Sequence, residues 1–579
     1  MKHNPTEKNG TATRLAIPVL LTAIMLPWTK PVWALDMAYA PGVLQTTQDG
    51  QVSGSEINDG KTLHWQGIPY ARPPVGDLRW KAPQPPEPRS DVFDATGEAP
   101  LCPQMGADGA AGAEDCLTLD IFRPNTEETG LPVLVYIHGG NNQGGTSREI
   151  NAEEMALSAN AVVVSLNYRL GLLGFNALPA LETGNAEEDS GNYTLLDFAR
   201  SLDWLKENVA AFGGDGENIT VSGFSAGGRD VMALLISPIF AGKFQKAISF
   251  SGGMTLADEG ASARLIAGAI APLVVADGVK PTETEATDWL LSSEPDVRDY
   301  LYGLPAERLA GLMTNAGIRM AVFPHLYNDG AVLPNEGYAT TAYNSVPLIM
   351  VTGSKEFSLF ARGASEFGAL DDDQLLAEPG MLAEYAFTID HGSDLYTLFN
   401  AEQSAEIMFA SYHAPIYTMR FAWGGDESIV GERMARLYGS FHGVWVPFFT
   451  ARTTGFSATF PEAFDNMGAK DLTSQVGAYV KNFIRDGDPN GEGLVTWKPW
   501  DSATSGPTQL VLDADMDKAS IVQSEERTRY DDLLAAIESD DSIPQEQKAQ
   551  QIADVLAGRW FSYGLDRHFD NQNLWVGVQ

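Results

Sequence analysis

An α/β fold organised around a mostly parallel sheet is the architecture the sequence predicts, on three observations. Two apolar runs without alternation, Val133-Leu-Val-Tyr-Ile137 and Ala161-Val-Val-Val-Ser165, have the composition of strands buried on both faces. Helical stretches stand between and after these runs, as crossover connections between parallel strands require. The β-branched run Ile219-Thr220-Val221 leads into Ser-Gly-Phe-Ser-Ala-Gly-Gly228, a glycine-flanked turn from a strand into a helix.

Taken in order, the N-terminus carries Lys2, Lys8 and Arg14 ahead of an apolar run from Leu15 to Trp28 that is too short to span a bilayer. It reads as a signal peptide over residues 1–34, with Val32-Trp33-Ala34 as the cleavage site and Ala38-Tyr39-Ala40 as a second one. The protein is then exported, to the periplasm or beyond, as a single large domain over residues 35–579. No cysteine follows the apolar run, which favours a soluble product over a lipid-anchored one. No later segment reads as long and apolar enough to serve as a stable membrane anchor.

From Gly42 to Trp65 apolar and polar residues alternate around Gln48-Asp49-Gly50 and Asn58-Asp59-Gly60, the chemistry of antiparallel hairpins. The segment Gly67 to Trp80 is too proline-rich for a helix and too rich in bulky apolar residues for a solvated linker, so it is an ordered, packed loop. Only two cysteines exist, Cys102 and Cys116. In an exported chain a close pair favours a disulfide over two thiols or half of a metal site. Between Leu256 and Met320 apolar residues recur at helical spacing with Pro and Gly breaks, which suits helical insertions forming a lid or gorge. Pro347-Leu-Ile-Met-Val-Thr-Gly353 and Tyr417–Trp423 read as further strands, and the tail from Ser524 as two helices on either side of Pro544, with Leu533, Leu534, Ile537, Ile552 and Leu556 facing the body.

The formal charge of −38, from 38 basic against 76 acidic residues, argues against a nucleic-acid partner, which would need clustered Lys and Arg. It reads as a solubilising acidic surface that mildly repels anionic substrates.

The turn at Gly223-Phe-Ser225-Ala-Gly227 has the G-x-S-x-G form of a nucleophile elbow, where small neighbours let a serine project above the sheet edge. His138-Gly-Gly-Asn-Asn-Gln-Gly-Gly145 leaves the end of a strand as a glycine-rich loop whose amides can hold an anion. In an α/β-hydrolase such a loop supplies part of the oxyanion hole, so the two motifs reinforce each other. That fold orders its triad Ser, acid, His along the chain. His391, His413, His442 and His568 are therefore candidate bases. Glu356 stands just past the strand ending at Gly353, where an acid can reach an imidazole, with Asp371 to Asp373 as weaker rivals.

At this point the chain resembles a known family, the type-B carboxylesterases, which include the cholinesterases and bacterial p-nitrobenzyl esterases. Gly67-Ile-Pro-Tyr-Ala with Pro73–Trp80, Glu114-Asp-Cys-Leu-Thr-Leu119, Asn167–Phe175, Gly191–Asp197 and Phe212-Gly-Gly-Asp215 look like its signatures in its order, leading into the elbow. The resemblance implies that Cys102 and Cys116 form the family's N-terminal disulfide. It singles out His442, whose segment Gly439-Ser-Phe-His-Gly-Val-Trp is similar to the family's catalytic-histidine segment. It implies oxyanion donors at the amides of Gly140, Asn141 and Ala226, with Asn141 replacing the family's third glycine. Lys355 and Phe357 depart from the family's Asp-Glu-Gly around the acid.

The expected activity is ester hydrolysis by a Ser225–His442–Glu356 triad through an acyl-enzyme, with no cofactor and no metal. The family often has Glu before the serine. Phe224 replaces that charge with an apolar ring, which points to small, neutral and apolar esters rather than choline esters. Two competing readings are a non-catalytic adhesion relative of the same fold, disfavoured because all three triad residues are present, and a hydrolase of another acyl bond such as a thioester, carbamate, amide or polyester.

Overall fold

Eleven strands form the central sheet, named here in chain order: β1 (Ser55–Ile57), β2 (Thr62–Pro69), β3 (Thr118–Pro124), β4 (Leu131–Ile137), β5 (Val162–Leu166), β6 (Gly214–Phe224), β7 (Lys246–Phe250), β8 (Leu348–Gly353), β9 (Ile416–Phe421), β10 (Leu510–Ala514) and β11 (Ala519–Gln523). The computed structural model describes residues 38–312, 315–503 and 505–571. The signal peptide read over residues 1–34 lies outside them. The described residues form one compact unit.

Across the sheet the order is β11-β10-β9-β8-β7-β6-β4-β5-β3-β2-β1. The seven strands from β5 to β10 pair in parallel, whereas β1, β2, β3 and β11 add antiparallel edges. Every residue of β5, β7 and β8 is buried, as a sheet covered by helices on both faces demands. Parallel pairing aligns the C-terminal ends of β4, β6, β8 and β9 on one edge, the edge where open α/β sheets place their ligands.

The predicted hairpins form: Leu44–Thr47 pairs with Gly50–Ser53, and β1 with β2. Two sequence expectations need correction. The loop from Gly67 is not wholly free of helix, since β2 runs on to Pro69 and Gly76–Leu78 makes one 3-10 turn, short enough to escape the prolines on either side. The expectation that no later segment has the length and apolarity of a membrane span also fails by composition. An 18-residue helix, Glu259–Ala276, has a mean hydropathy of 1.4. Its alanines and aliphatics raise that average, yet Ile266, Ile270 and Val274 form a buried stripe packed toward helix Glu283–Leu290. A half-buried helix of the body accounts for it.

This helix belongs to the insertion between β7 and β8, with Glu283–Leu290, Pro295–Gly303 and Ala306–Ala310. The last of them brings Ala310 to the wall of the active-site cavity. Cys102 and Cys116 form a disulfide that closes around the hairpin Gln104–Gly106/Gly109–Ala111. Closing so short a loop contributes about 3 kcal/mol in the chain-entropy model.

Candidate active site

The serine turn is built by close packing. Strand β6 ends at Phe224, and helix α1 (Ala226–Ile236) begins one residue past Ser225. Ser225 sits at φ 56°, ψ −116°, a conformation that disfavours L-residues and that the surroundings must impose. Its amide donates to the Phe250 carbonyl at 2.8 Å, and its own carbonyl accepts from the Arg229 amide at 3.0 Å. A β-carbon on Gly223 would come 2.3 Å from the Gly227 carbonyl oxygen, and one on Gly227 equally close to that of Ile137. Only glycine fits at both places, which is the physical content of the motif.

Glu356 and His442 meet from two neighbouring strand ends. Beyond β8, the Ser354 amide donates to the Phe421 carbonyl and the Lys355 amide to that of Ser440, so the acid turn is strapped to the histidine segment. Glu356 is fully buried. Its Oε1 accepts from the Gly353 amide at 2.6 Å, from Ser251 Oγ at 2.6 Å and from Thr352 Oγ1 at 3.2 Å. Its Oε2 accepts from His442 Nδ1 at 2.5 Å. An ionised carboxylate can only accept, so the ring proton stands on Nδ1 and the Nε2 lone pair is free. Nε2 has no hydrogen-bond partner among the described residues. The rings of Phe224, Phe360 and Tyr396 stand 4.7, 5.0 and 5.7 Å from the imidazole. Ser225 and His442 line one cavity of about 430 Å³.

Beside them runs the loop after β4. Gly140, Asn141 and Asn142 all take positive φ, which asparagine tolerates better than other side chains do. The Asn141 side chain donates to Gln143 Oε1 at 2.9 Å, so replacement of a glycine there is accommodated. No described acceptor takes the amides of Gly140, Asn141 or Ala226. The loop is tied down on all sides instead. Gly139 donates to Glu149, Gly145 to Gln104, and the Asn142 side chain to Asp230. Gln104 lies inside the disulfide loop, so the Cys102–Cys116 bond braces the hairpin that holds Gly145.

Burial sets the charge states around this loop. It lowers His138 to about 4, keeping that ring neutral, and raises the fully buried Glu149 carboxyl. Asp230 is pushed up to about 7, because burial outweighs the Asn142 hydrogen bond and the Arg229 charge. A carboxyl whose folded pKa exceeds its ordinary value adds stability below that ordinary value, and the contribution is lost as pH rises through about 7. Asp230→Asn, which keeps an acceptor for Asn142, is therefore expected to gain melting temperature relative to the wild type progressively from pH 4 to pH 8. A constant difference across that range, in thermal unfolding followed by circular dichroism, contradicts this assignment of charge.

The rival residues are engaged elsewhere. His391 pairs with Asp540 at 2.8 Å, His568 with Glu538 at 2.7 Å, and His413 is exposed. Asp371 caps the helix Asp372–Ala377, Asp372 is held by Arg362, Arg433 and Tyr438, and Asp373 is exposed on that helix. The departures around the acid pack without disturbing it: Lys355 reaches out to Asp390, while Phe357 is buried against Phe360 and Phe561. Room for Phe357 comes from Gly392, whose added β-carbon would lie 2.4 Å from the ring. Sequence reading missed Ser251, Glu149, Asp230 and Gln104, which touch the triad or the loop. Their only signal was position, since each belongs to no motif and meets its partner through the fold. Among the described residues no cluster of His, Cys, Asp and Glu could hold a metal ion.

The comparisons with known proteins agree on one family. A family model described as the Carboxylesterase family matches residues 41–376. The para-nitrobenzyl esterase of Bacillus subtilis (strain 168) is 31% identical over 507 residues, covering 84% of this chain and 97% of its own. The human cocaine esterase is 30% identical over 514 residues, covering 79% of this chain and 86% of its own. Among solved structures, a thermophilic PNB esterase superposes with a TM-score of 0.63 at 28% identity, over 84% of this chain and 98% of that one.

Proposed function

For a chain that belongs to the carboxylesterase family, and is therefore a serine hydrolase of carboxylic esters, we propose that Ser225, His442 and Glu356 are its triad. The observation that carries the assignment is the 2.5 Å contact from His442 Nδ1 to the buried Glu356, which leaves Nε2 unpartnered in the cavity that Ser225 also lines. With an ester bound, Nε2 takes the Ser225 proton as Oγ attacks the carbonyl carbon. The imidazolium then protonates the leaving alcohol, and the same nitrogen activates water to release the acid. The amides of Gly140, Asn141 and Ala226 stabilise the oxyanion, each such donor being worth about 3 kcal/mol in the transition state.

The cavity wall supports an apolar group next to the scissile carbonyl. Met105, Phe224, Ile318 and Phe360 line it, and no Asp or Glu is among the described residues of its wall. Neutral p-nitrophenyl esters of increasing acyl length, assayed beside acetylcholine and butyrylcholine, test this. The neutral series is expected to be turned over with at least tenfold higher kcat/KM than either choline ester, and clear choline preference sinks the reading.

Export is supported by the disulfide, which persists in oxidising compartments. Cleavage after Ala34 rather than Ala40 is supported by Tyr39. Its hydroxyl donates to the Thr126 carbonyl, and Arg123 stacks over its ring at 3.8 Å, contacts a cut after Ala40 would remove. The intact mass of the mature protein distinguishes the two sites.

A further inference from the structure

A second cavity, of about 400 Å³, shares Asn315, Gly317 and Phe360 with the catalytic one. Two arginines from distant parts of the chain stand in its wall, Arg319 after the insertion helices and Arg559 after the turn Ile552–Leu556. Their guanidinium ends converge: a β-carbon on Gly317 would lie 3.0 Å from Arg559 Nη1 and 3.6 Å from Arg319 Nη1.

At Arg319 burial outweighs the charge of nearby Asp566. Every bond the two arginines make runs to a backbone carbonyl, Arg559 to Val555 and Gly317, and Arg319 to Asp554. No ion pair to either occurs among the described residues, although the chain has twice as many acids as bases. Of the other buried arginines, Arg169 pairs with Asp197 at 2.6 Å and Arg79 with Glu114 at 2.5 Å, whereas Arg123 and Arg229 make no ion pair among the described residues. Burial, reinforced by the Arg319 charge, pushes Arg559 down to about 9. Among the described residues, Arg559 Nη2 and Arg319 Nε and Nη1 make no hydrogen bond. A buried Arg559 beside a second, half-exposed cation is costly unless an anion joins them.

We propose that this cavity is a carboxylate subsite, and that the enzyme hydrolyses esters carrying a free carboxylate remote from the scissile bond. The inference rests on Ser225 as nucleophile, because the shared wall places the arginines at one end of the same bound substrate. Planar guanidinium forks suit a carboxylate. Glu366 and Asp554 on the same wall oppose any anion, and a doubly charged group such as phosphate more than a carboxylate. Phe224 fits this reading, since a glutamate before the serine would repel the same anion.

Monoethyl and diethyl esters of succinic to suberic acid, together with acetate esters of ω-hydroxy acids and their ethyl esters, form the test, followed by pH-stat at pH 8. The wild type is expected to favour the acid form at least tenfold in kcat/KM at one chain length or more, chiefly through KM. Arg319→Gln, at a half-exposed position, is expected to abolish that preference and to leave diester turnover within twofold. Arg559→Lys, which keeps the charge but not the fork, is expected to weaken it. Equal rates on both forms at every length, with p-nitrophenyl acetate still hydrolysed, overturn the subsite alone. Arg319→Gln slowing both forms equally also overturns it. Failure to hydrolyse any ester overturns the triad reading beneath it.

Discussion

Ser225→Ala lowers kcat by about 10⁶-fold, the scale set by removing the nucleophile of a serine hydrolase, while leaving the fold in place. The oxygen is the group removed. The β-carbon stays, and with it the packing against Gly139, so the cavity keeps its shape. The bonds that hold the turn, from the Ser225 amide to Phe250 and from the Arg229 amide to residue 225, belong to the backbone and survive. Melting temperature is therefore expected within a few degrees of the wild type. The acyl-enzyme burst of p-nitrophenol disappears together with steady-state turnover, because the covalent intermediate forms on this oxygen. Stopped-flow release of p-nitrophenol measures both. A variant that keeps its burst removes Ser225 from the mechanism.

Glu356→Gln is the next largest effect, about 10⁴-fold in kcat with KM little changed, the scale seen when a triad carboxylate becomes its amide. The hydrogen bonds at this site say why. The Gly353 amide and Ser251 hydroxyl both donate to Oε1, so a glutamine must turn its carbonyl oxygen to that side. Its NH₂ group then faces His442 Nδ1 and donates to it, which moves the ring proton to Nε2. A protonated Nε2 cannot accept from Ser225, and the base is lost without any change in shape. Substrate contacts lie elsewhere in the cavity, which is why KM is spared. A fall of less than tenfold shows that the acid is another residue, and an unchanged burst rate shows the same.

Much of this site was legible in the chain because its chemistry is local. The Gly223-Phe-Ser-Ala-Gly227 pattern specifies a turn that only glycine can flank, and the structure puts a carbonyl oxygen 2.3 Å from where each extra β-carbon would be. The unbroken apolar runs of β4 and β5 specify strands buried on both faces, and they lie side by side in parallel. Hairpin turns at Asp49-Gly50 and Asp59-Gly60 follow from residues that accept positive φ. The expectation that no later segment has the composition of a span failed at Glu259–Ala276, where average hydropathy does not say whether an apolar stripe meets lipid or a neighbouring helix.

By itself, then, the sequence determined what a few adjacent residues can decide: the elbow, the glycine loop, the parallel strands, and Glu356 just past a strand end. The resemblance to a family singled out His442. The structure showed how that histidine reaches the acid: the turn at Lys355 is strapped to Ser440 and Phe441, well beyond β9 in the chain. It also decided the roles of Ser251, Glu149 and Asp230, single polar residues in unremarkable surroundings whose partners lie 105, 10 and 88 positions away along the chain. Arg319 and Arg559 make the same point. Burial and proximity, neither of which any local pattern encodes, turn two ordinary basic residues into one wall of the cavity adjoining that of Ser225.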